Sequence, residues 1–112
     1  TLELARKMAI ILEEKKGEDI ILIDIRELAD FADFFIICTG TSDRMLKSLA
    51  DELSDRMRAQ EKLRGRFEGD AVDGWILIDY GDVVVHLFSP DRRSYYRLED
   101  LWSKGKTLLH MQ

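Results

Sequence analysis

Cysteine and proline are almost missing from this sequence: each occurs once in 112 residues, as Cys38 and Pro90. A lone cysteine excludes an intrachain disulfide framework and suits a reducing compartment. Together with only two histidines it cannot build a finger-type zinc site within one chain. No apolar run approaches the roughly 20 residues that a membrane span requires. Basic residues are the minority, with 17 Lys and Arg against 22 Asp and Glu and a formal charge of -5. That balance argues against binding nucleic acid by bulk attraction, because phosphate contacts need a cationic surface. A basic protein partner suits it better. Neither Ser/Gly-rich linker, internal repeat nor low-complexity tract interrupts the chain. The amphipathic opening Thr1-Leu2-Glu3-Leu4 does not read as a signal peptide, and the missing initiator Met leaves an upstream segment open.

What is present is core-forming material: 46% of the residues are hydrophobic, enough for one packed domain over residues 1–112. Leu4, Met8, Ile11 and Leu12 recur at helical spacing, which predicts a first helix from about Leu2 to Lys16, ended by Gly17. Ile20 to Ile23 and Phe34 to Cys38 are short, continuously apolar runs, the pattern of strands buried on both faces. The connector between them is expected to turn Leu28 and Phe31 inward. Thr41-Ser42-Asp43 caps a long helix whose buried face is Met45, Leu49, Leu53 and Met57. Arg66-Phe67-Glu68, Trp75 to Ile78 and Val83 to Phe88 read as three further strands. Ser89-Pro90 starts a last helix with Leu98, Leu101 and Trp102 on its buried side. The order α-β-β-α-β-β-β-α gives an α/β domain, a mixed sheet packed with helices.

The hairpin is the most informative segment. Asp79-Tyr80-Gly81-Asp82 joins its strands in a tight turn, with Gly81 supplying a positive φ. Alternation puts Ile76, Ile78, Tyr80, Val83, Val85 and Leu87 on a core face, Tyr80 at its wet end. The other face carries Trp75, Leu77, Asp79, Asp82, Val84, His86 and Phe88. From Glu68 to Asp91 there are six acids and no Lys or Arg. An aromatic anchor flanked by acids is the composition of a protein-binding patch for a basic partner. The competing reading has a helix covering Trp75 and His86, with the aspartates merely at a solvated tip. The sequence leaves both open.

Other constellations are weaker. Gly40-Thr41-Ser42 between strand and helix is similar to a phosphate cradle, but neither glycine-rich nucleotide motif is present. The same arrangement is similar to the opening of nucleotidyltransferases, which then need an Asp-x-Asp pair to hold two magnesium ions. Asp79 and Asp82 straddle a turn and Asp51-Glu52 is helical, so that pair is missing. His86 has no evident nucleophile to serve, since Ser42 and Ser89 read as helix caps. Cys38 reads as inert core. Arg56, Arg58, Lys62, Arg64 and Arg66 read as a solvated helix end, with contact to ribosomal or other RNA as the alternative. No catalysis, cofactor or metal site is expected.

Three motifs in order resemble one family: Asp33-Phe34-Phe35-Ile36-Ile37-Cys38-Thr39-Gly40-Thr41-Ser42-Asp43-Arg44, Gly74 through His86, and Tyr96-Arg97-Leu98-Glu99-Asp100-Leu101-Trp102. They are similar to those of the ribosomal silencing factor family (RsfS/Iojap/YbeB), over nearly the whole chain. The resemblance implies a nucleotidyltransferase-like α/β fold without the catalytic carboxylates. It implies a translational repressor that binds the large ribosomal subunit through large-subunit ribosomal protein fourteen and sterically blocks joining with the small subunit. Bacterial members are cytoplasmic; relatives work in mitochondria and chloroplasts. Carried over as partner-facing are Trp75, Asp79, Tyr80, Gly81, Asp82 and His86, with Arg93 and Tyr96 added because they lie next to the motif. The segment from 103 to 112 lies beyond the shared motifs and is expected to be a chain-specific tail. A homodimer of the free protein stays open. The competing functions are a degenerate nucleotidyltransferase-like enzyme and an RNA-binding ribosome assembly factor.

Overall fold

A computed structural model describes all 112 residues, Thr1 to Gln112. The chain runs through α1 (Leu2–Glu14), β1 (Glu18–Asp24), β2 (Phe34–Thr39), α2 (Asp43–Glu61), β3 (Arg66–Asp70), β4 (Trp75–Asp79), β5 (Val83–Phe88), α3 (Pro90–Tyr96), α4 (Leu98–Leu101) and β6 (Lys106–Met111). The strands form one sheet in the order β3-β4-β5-β2-β1-β6. Only β2 and β5 are parallel; every other neighbouring pair is antiparallel. All residues of β2 and β5 are buried, as continuous apolar runs at a sheet centre should be.

Two apolar layers flank this sheet. The larger joins α1 and α2 to one face through Met8, Leu12, Leu22, Ile36, Leu49, Leu53, Ile78 and Val85. Each such side chain, fully buried, contributes about 1.5–3 kcal/mol. The smaller, on the second face, gathers Ile23, Ile25, Ala32, Phe35, Ile37, Val84 and Phe88 beneath Leu98 and Trp102. No long helix covers it: α3 has seven residues and α4 four.

Local chemistry sets the element ends. Ser42 Oγ accepts from the Met45 N–H at 3.0 Å, and Ser89 Oγ accepts from Arg92 N–H with Pro90 in the first turn. The first helix ends at Glu14, two residues short of the expected Lys16. Lys16, with φ 72°, takes the left-handed position there. Gly17 serves instead as a close approach, since a Cβ would stand 2.5 Å from Cys38 Sγ.

Three expectations fail at the periphery. The single last helix is broken by Arg97, which adopts φ 51° and ends α3. The break turns Leu101 outward to 72% exposure. Leu28 and Phe31 are likewise exposed, Phe31 by 63%, its ring lying against Trp102 at the margin of the smaller layer. The expected tail is a sixth strand: β6 pairs antiparallel with β1, setting Leu109 opposite Leu22 and Met111 opposite Ile20. Leu108, Leu109 and Met111 then pack on the larger layer.

A chain ending at Gly105 should therefore lose about 2 kcal/mol or more of stability, because three half-buried apolar side chains and a strand ladder go with it. Urea unfolding checks this; an unchanged midpoint would mean that β6 does not contribute to the folded core.

Candidate functional site

The hairpin sorts its side chains as alternation dictates. Tyr80 N–H donates to the Val83 carbonyl, and Gly81 with φ 87° opens a two-residue turn with Asp82. Asp79 Oδ1 accepts from Gly81 N–H at 2.7 Å, fixing the turn from the side. The Asp82 carbonyl accepts from both Asp33 and Phe34 N–H groups, which ties the hairpin tip to the start of β2. Its side chain is exposed.

On the second face, register places Trp75, Leu77 and Asp79 of β4 beside Phe88, His86 and Val84 of β5. The facing β3 residues are Asp70, Glu68 and Arg66, all exposed. Arg66 pairs with Asp79 at 3.2 Å. The face is thus aromatic at its centre with carboxylates of Glu68 and Asp70 along its edge strand. Tyr96 of α3 leans over it, its ring centroid 6.4 Å from Trp75 and 5.8 Å from Phe88. Trp75, His86, Phe88, Tyr96 and Leu98 line a recess of about 150 Å³.

The face is neither fully covered nor fully open. Trp75 is half-buried and Tyr96 is 44% exposed, whereas His86 is only 6% exposed. His86 stacks edge-on against Phe35 at 4.9 Å and parallel to Phe88 at 6.0 Å. Neither of its ring nitrogens has a hydrogen-bond partner. Burial pushes its pKa down to about 4. Tyr80 lies on the opposite, α2-facing side, packed on the larger layer, and burial pushes its phenol up to about 12. Its hydroxyl is therefore no part of the aromatic recess.

Arg93 is also not where a partner-facing residue would be, being 7% exposed. Its Nε donates to Glu99 Oε2 at 2.8 Å and its Nη1 to Thr39 Oγ1 at 2.9 Å and to the Asp19 carbonyl. Asp19 in turn meets His110 of β6. One guanidinium therefore ties α3 and α4 to β1 and β2, and this positions Tyr96 and Leu98 beside Trp75. Sequence reasoning missed this role, because Asp19, Thr39 and Glu99 are far apart along the chain. The largest cavity, about 730 Å³, opens beside this cluster, and Arg93, Arg97 and His110 in its lining are committed to Asp19, Glu99 and Asp100.

The remaining candidates resolve plainly. Cys38 is fully buried and burial raises its thiol to about 12, so it is no nucleophile. No three His, Cys, Asp or Glu side chains gather to hold a metal ion. In the basic stretch, Arg56 pairs with Glu14 and Glu52, Arg58 with Asp55 and Arg66 with Asp79, leaving Lys62 and Arg64 without ion pairs. No helix is long and apolar enough to cross a membrane.

The site is thus a recessed aromatic surface with an acidic edge, carried on a mixed α/β sheet. The sequence profile described as "Ribosomal silencing factor during starvation" matches residues 1–111, most of the expected tail included. A protein named ribosomal silencing factor RsfS from Halalkalibacterium halodurans is 38% identical over 106 residues, covering 95% of this chain and 91% of that one. The mouse protein named "Mitochondrial assembly of ribosomal large subunit protein 1" is 33% identical over 97 residues, 83% of this chain and 42% of its own length. A crystal structure of a Chromobacterium violaceum protein superposes with a TM-score of 0.85 at 34% identity, covering 100% of this chain and 93% of that one. The chain belongs to the ribosomal silencing factor family.

Burial of His86 has a measurable consequence. Its folded pKa lies below the unfolded value of about 6.5, so the unfolded chain takes up a proton first as pH falls. Its contribution is intact above pH ~6.5 and is lost progressively down to pH ~4, on the order of 3 kcal/mol in all. His86→Leu should flatten that part of the pH profile of urea stability. A variant with the same slope as wild type between pH 6.5 and 4 would refute a neutral, buried imidazole. Arg93→Ala, which removes the hydrogen bonds to Glu99, Thr39 and the Asp19 carbonyl, should cost about 2 kcal/mol in the same assay at pH 7; a loss under about 0.5 kcal/mol would show that the cluster does not hold α3.

Proposed function

We propose that this chain is a translational repressor that occupies the large ribosomal subunit, binding large-subunit ribosomal protein fourteen through the second face of its sheet and standing where the small subunit would join. The observation that carries the reading is the second face itself. Trp75 and Tyr96 stay partly open there, Glu68 and Asp70 are exposed on the edge strand beside them, and Asp82 is exposed at the far, hairpin-tip end of the same two strands. Large aromatic side chains dominate interface energies, and carboxylates around them complement a basic ribosomal protein. Family membership and the names of the relatives support the ribosome as the setting. The protein acts by occupancy and not by turnover, and it acts wherever ribosomal subunits join, the cytoplasm in a bacterium. Among the site residues, Trp75 and Tyr96 touch the partner, Asp82 meets its cationic groups, Asp79 and Gly81 shape the turn, and His86 and Arg93 hold the face from beneath.

The mechanism is steric, so the protein should pellet with free large subunits and be excluded by assembled ribosomes. Equal sedimentation with both would rule it out. Trp75→Ala, shown folded by its thermal transition, should weaken large-subunit binding about 30-fold, chiefly through faster dissociation. Asp82→Asn should slow association and flatten its salt dependence. Unchanged affinity in a folded Trp75→Ala protein would remove this face from the mechanism and favour RNA contact through Arg58, Lys62 and Arg64.

A further inference from the structure

Three buried polar atoms on the second face have no bonding partner in the protein: Trp75 Nε1 and both ring nitrogens of His86. Their two residues line the same recess, closed by Phe88, Tyr96 and Leu98. Buried polar groups are nearly always hydrogen-bonded, and each one left alone is destabilising. A strand position that only fills a core would carry Leu or Val, as Leu87 and Val85 do on either side of His86. Two further such atoms, Tyr80 Oη and Arg93 Nη2, lie elsewhere, but the three that share one recess sit where the sheet is most thinly covered.

The recess also has a defined capacity. A cavity of about 150 Å³ with an apolar lining admits a benzene-sized group. That is room for one side chain of the size of Leu, Met or Phe. Indole N–H only donates, so whatever meets Trp75 must bring an acceptor. A neutral imidazole offers one donor and one acceptor, the same pair that a peptide unit carries. The exposed carboxylates of Glu68 and Asp70 stand in register with Leu77 and Trp75 along the edge strand.

We propose that the recess is the receptor for one apolar side chain of the ribosomal protein, delivered by a backbone segment whose carbonyl accepts from Trp75 Nε1 and whose flanking residues are Lys or Arg. The proposal rests on reading the second face as the docking surface and adds what fills it. A second copy of this chain is a poor occupant, because two acidic edges would meet in a protein of net charge -5.

Two variants test it in the full chain. Leu98→Phe puts bulk into the recess from its wall, and Trp75→Phe keeps an aromatic body while removing the N–H. Each is first shown folded by its melting transition and then measured for co-sedimentation with purified large subunits. Ile10→Ala, on the opposite side of the sheet, serves as the control. Leu98→Phe should weaken binding about 10-fold or more and Trp75→Phe about 5-fold, with Ile10→Ala unchanged. If Leu98→Phe does not fold, Trp75→Phe alone decides. Wild-type affinity in either folded variant overturns the receptor while leaving the docking surface standing. Failure of the wild-type protein to bind large subunits overturns the docking surface and the receptor together. Loss of self-association in Leu98→Phe with ribosome binding intact would assign the recess to a second copy and also overturn it.

Discussion

A sheet whose central strands are apolar on both sides needs cover on both sides, and here the two long helices lie on one. α1 and α2 close the centre of the first face, with Met8, Leu12, Leu49 and Leu53 at zero exposure. The second face is left to a loop, two short helices and a few aromatic rings. Burial there is deep at β2 and β5 and incomplete at Trp75 and Leu77 of β4. The asymmetry makes the domain stable through one face and available through the other.

Availability depends on holding the thin cover still. Seven-residue α3 has little intrinsic stability, since a helix that short does not persist in water. The Arg93 guanidinium supplies what propensity cannot, reaching Thr39, Asp19 and Glu99 from the helix. A buried arginine is tolerated because Nε and Nη1 meet a carboxylate, a hydroxyl and a carbonyl, with the Asp19 carboxylate 3.5 Å from Nη2. The same cluster engages His110, so the last strand and the helices over the second face are coupled through one charged knot. Tyr96 and Leu98 therefore sit beside Trp75 for reasons far from the recess they help to line.

Much of this was legible in the sequence where periodicity is strong. The two-faced hairpin, the Ser42 and Ser89 caps, the buried Cys38 and the face of α2 all follow from spacing that packing then confirms. The failures share a cause. Arg97 breaks the last helix without a glycine or proline to announce it, so Leu98, Leu101 and Trp102 read as one helical stripe. β6 carries Lys106 and His110 and is half-exposed, so its only signal was the alternation of Thr107, Leu109 and Met111. Leu28 and Phe31 are apolar and yet turned outward, which no local pattern reveals. At the site, alternation puts Trp75 and Asp79 on the second face, over which Tyr96 leans, while Asp82 sits in the turn, Tyr80 belongs to the other face and Arg93 to the support beneath. Arg93 escaped because its partners are brought together only by the folded sheet.

The proposed mechanism rests on family membership and on an open aromatic face, and the face is what makes it specific. Oxidative footprinting of the free protein and of its complex with purified large subunits would probe it directly. If the second face docks, Trp75 and Tyr96 lose reactivity on binding while Met45 of α2 and the side chains of α1 keep theirs. Unchanged oxidation of Trp75 and Tyr96 in the complex, with protection falling on α1 and α2 instead, would place the ribosome on the opposite side of the sheet and contradict the mechanism.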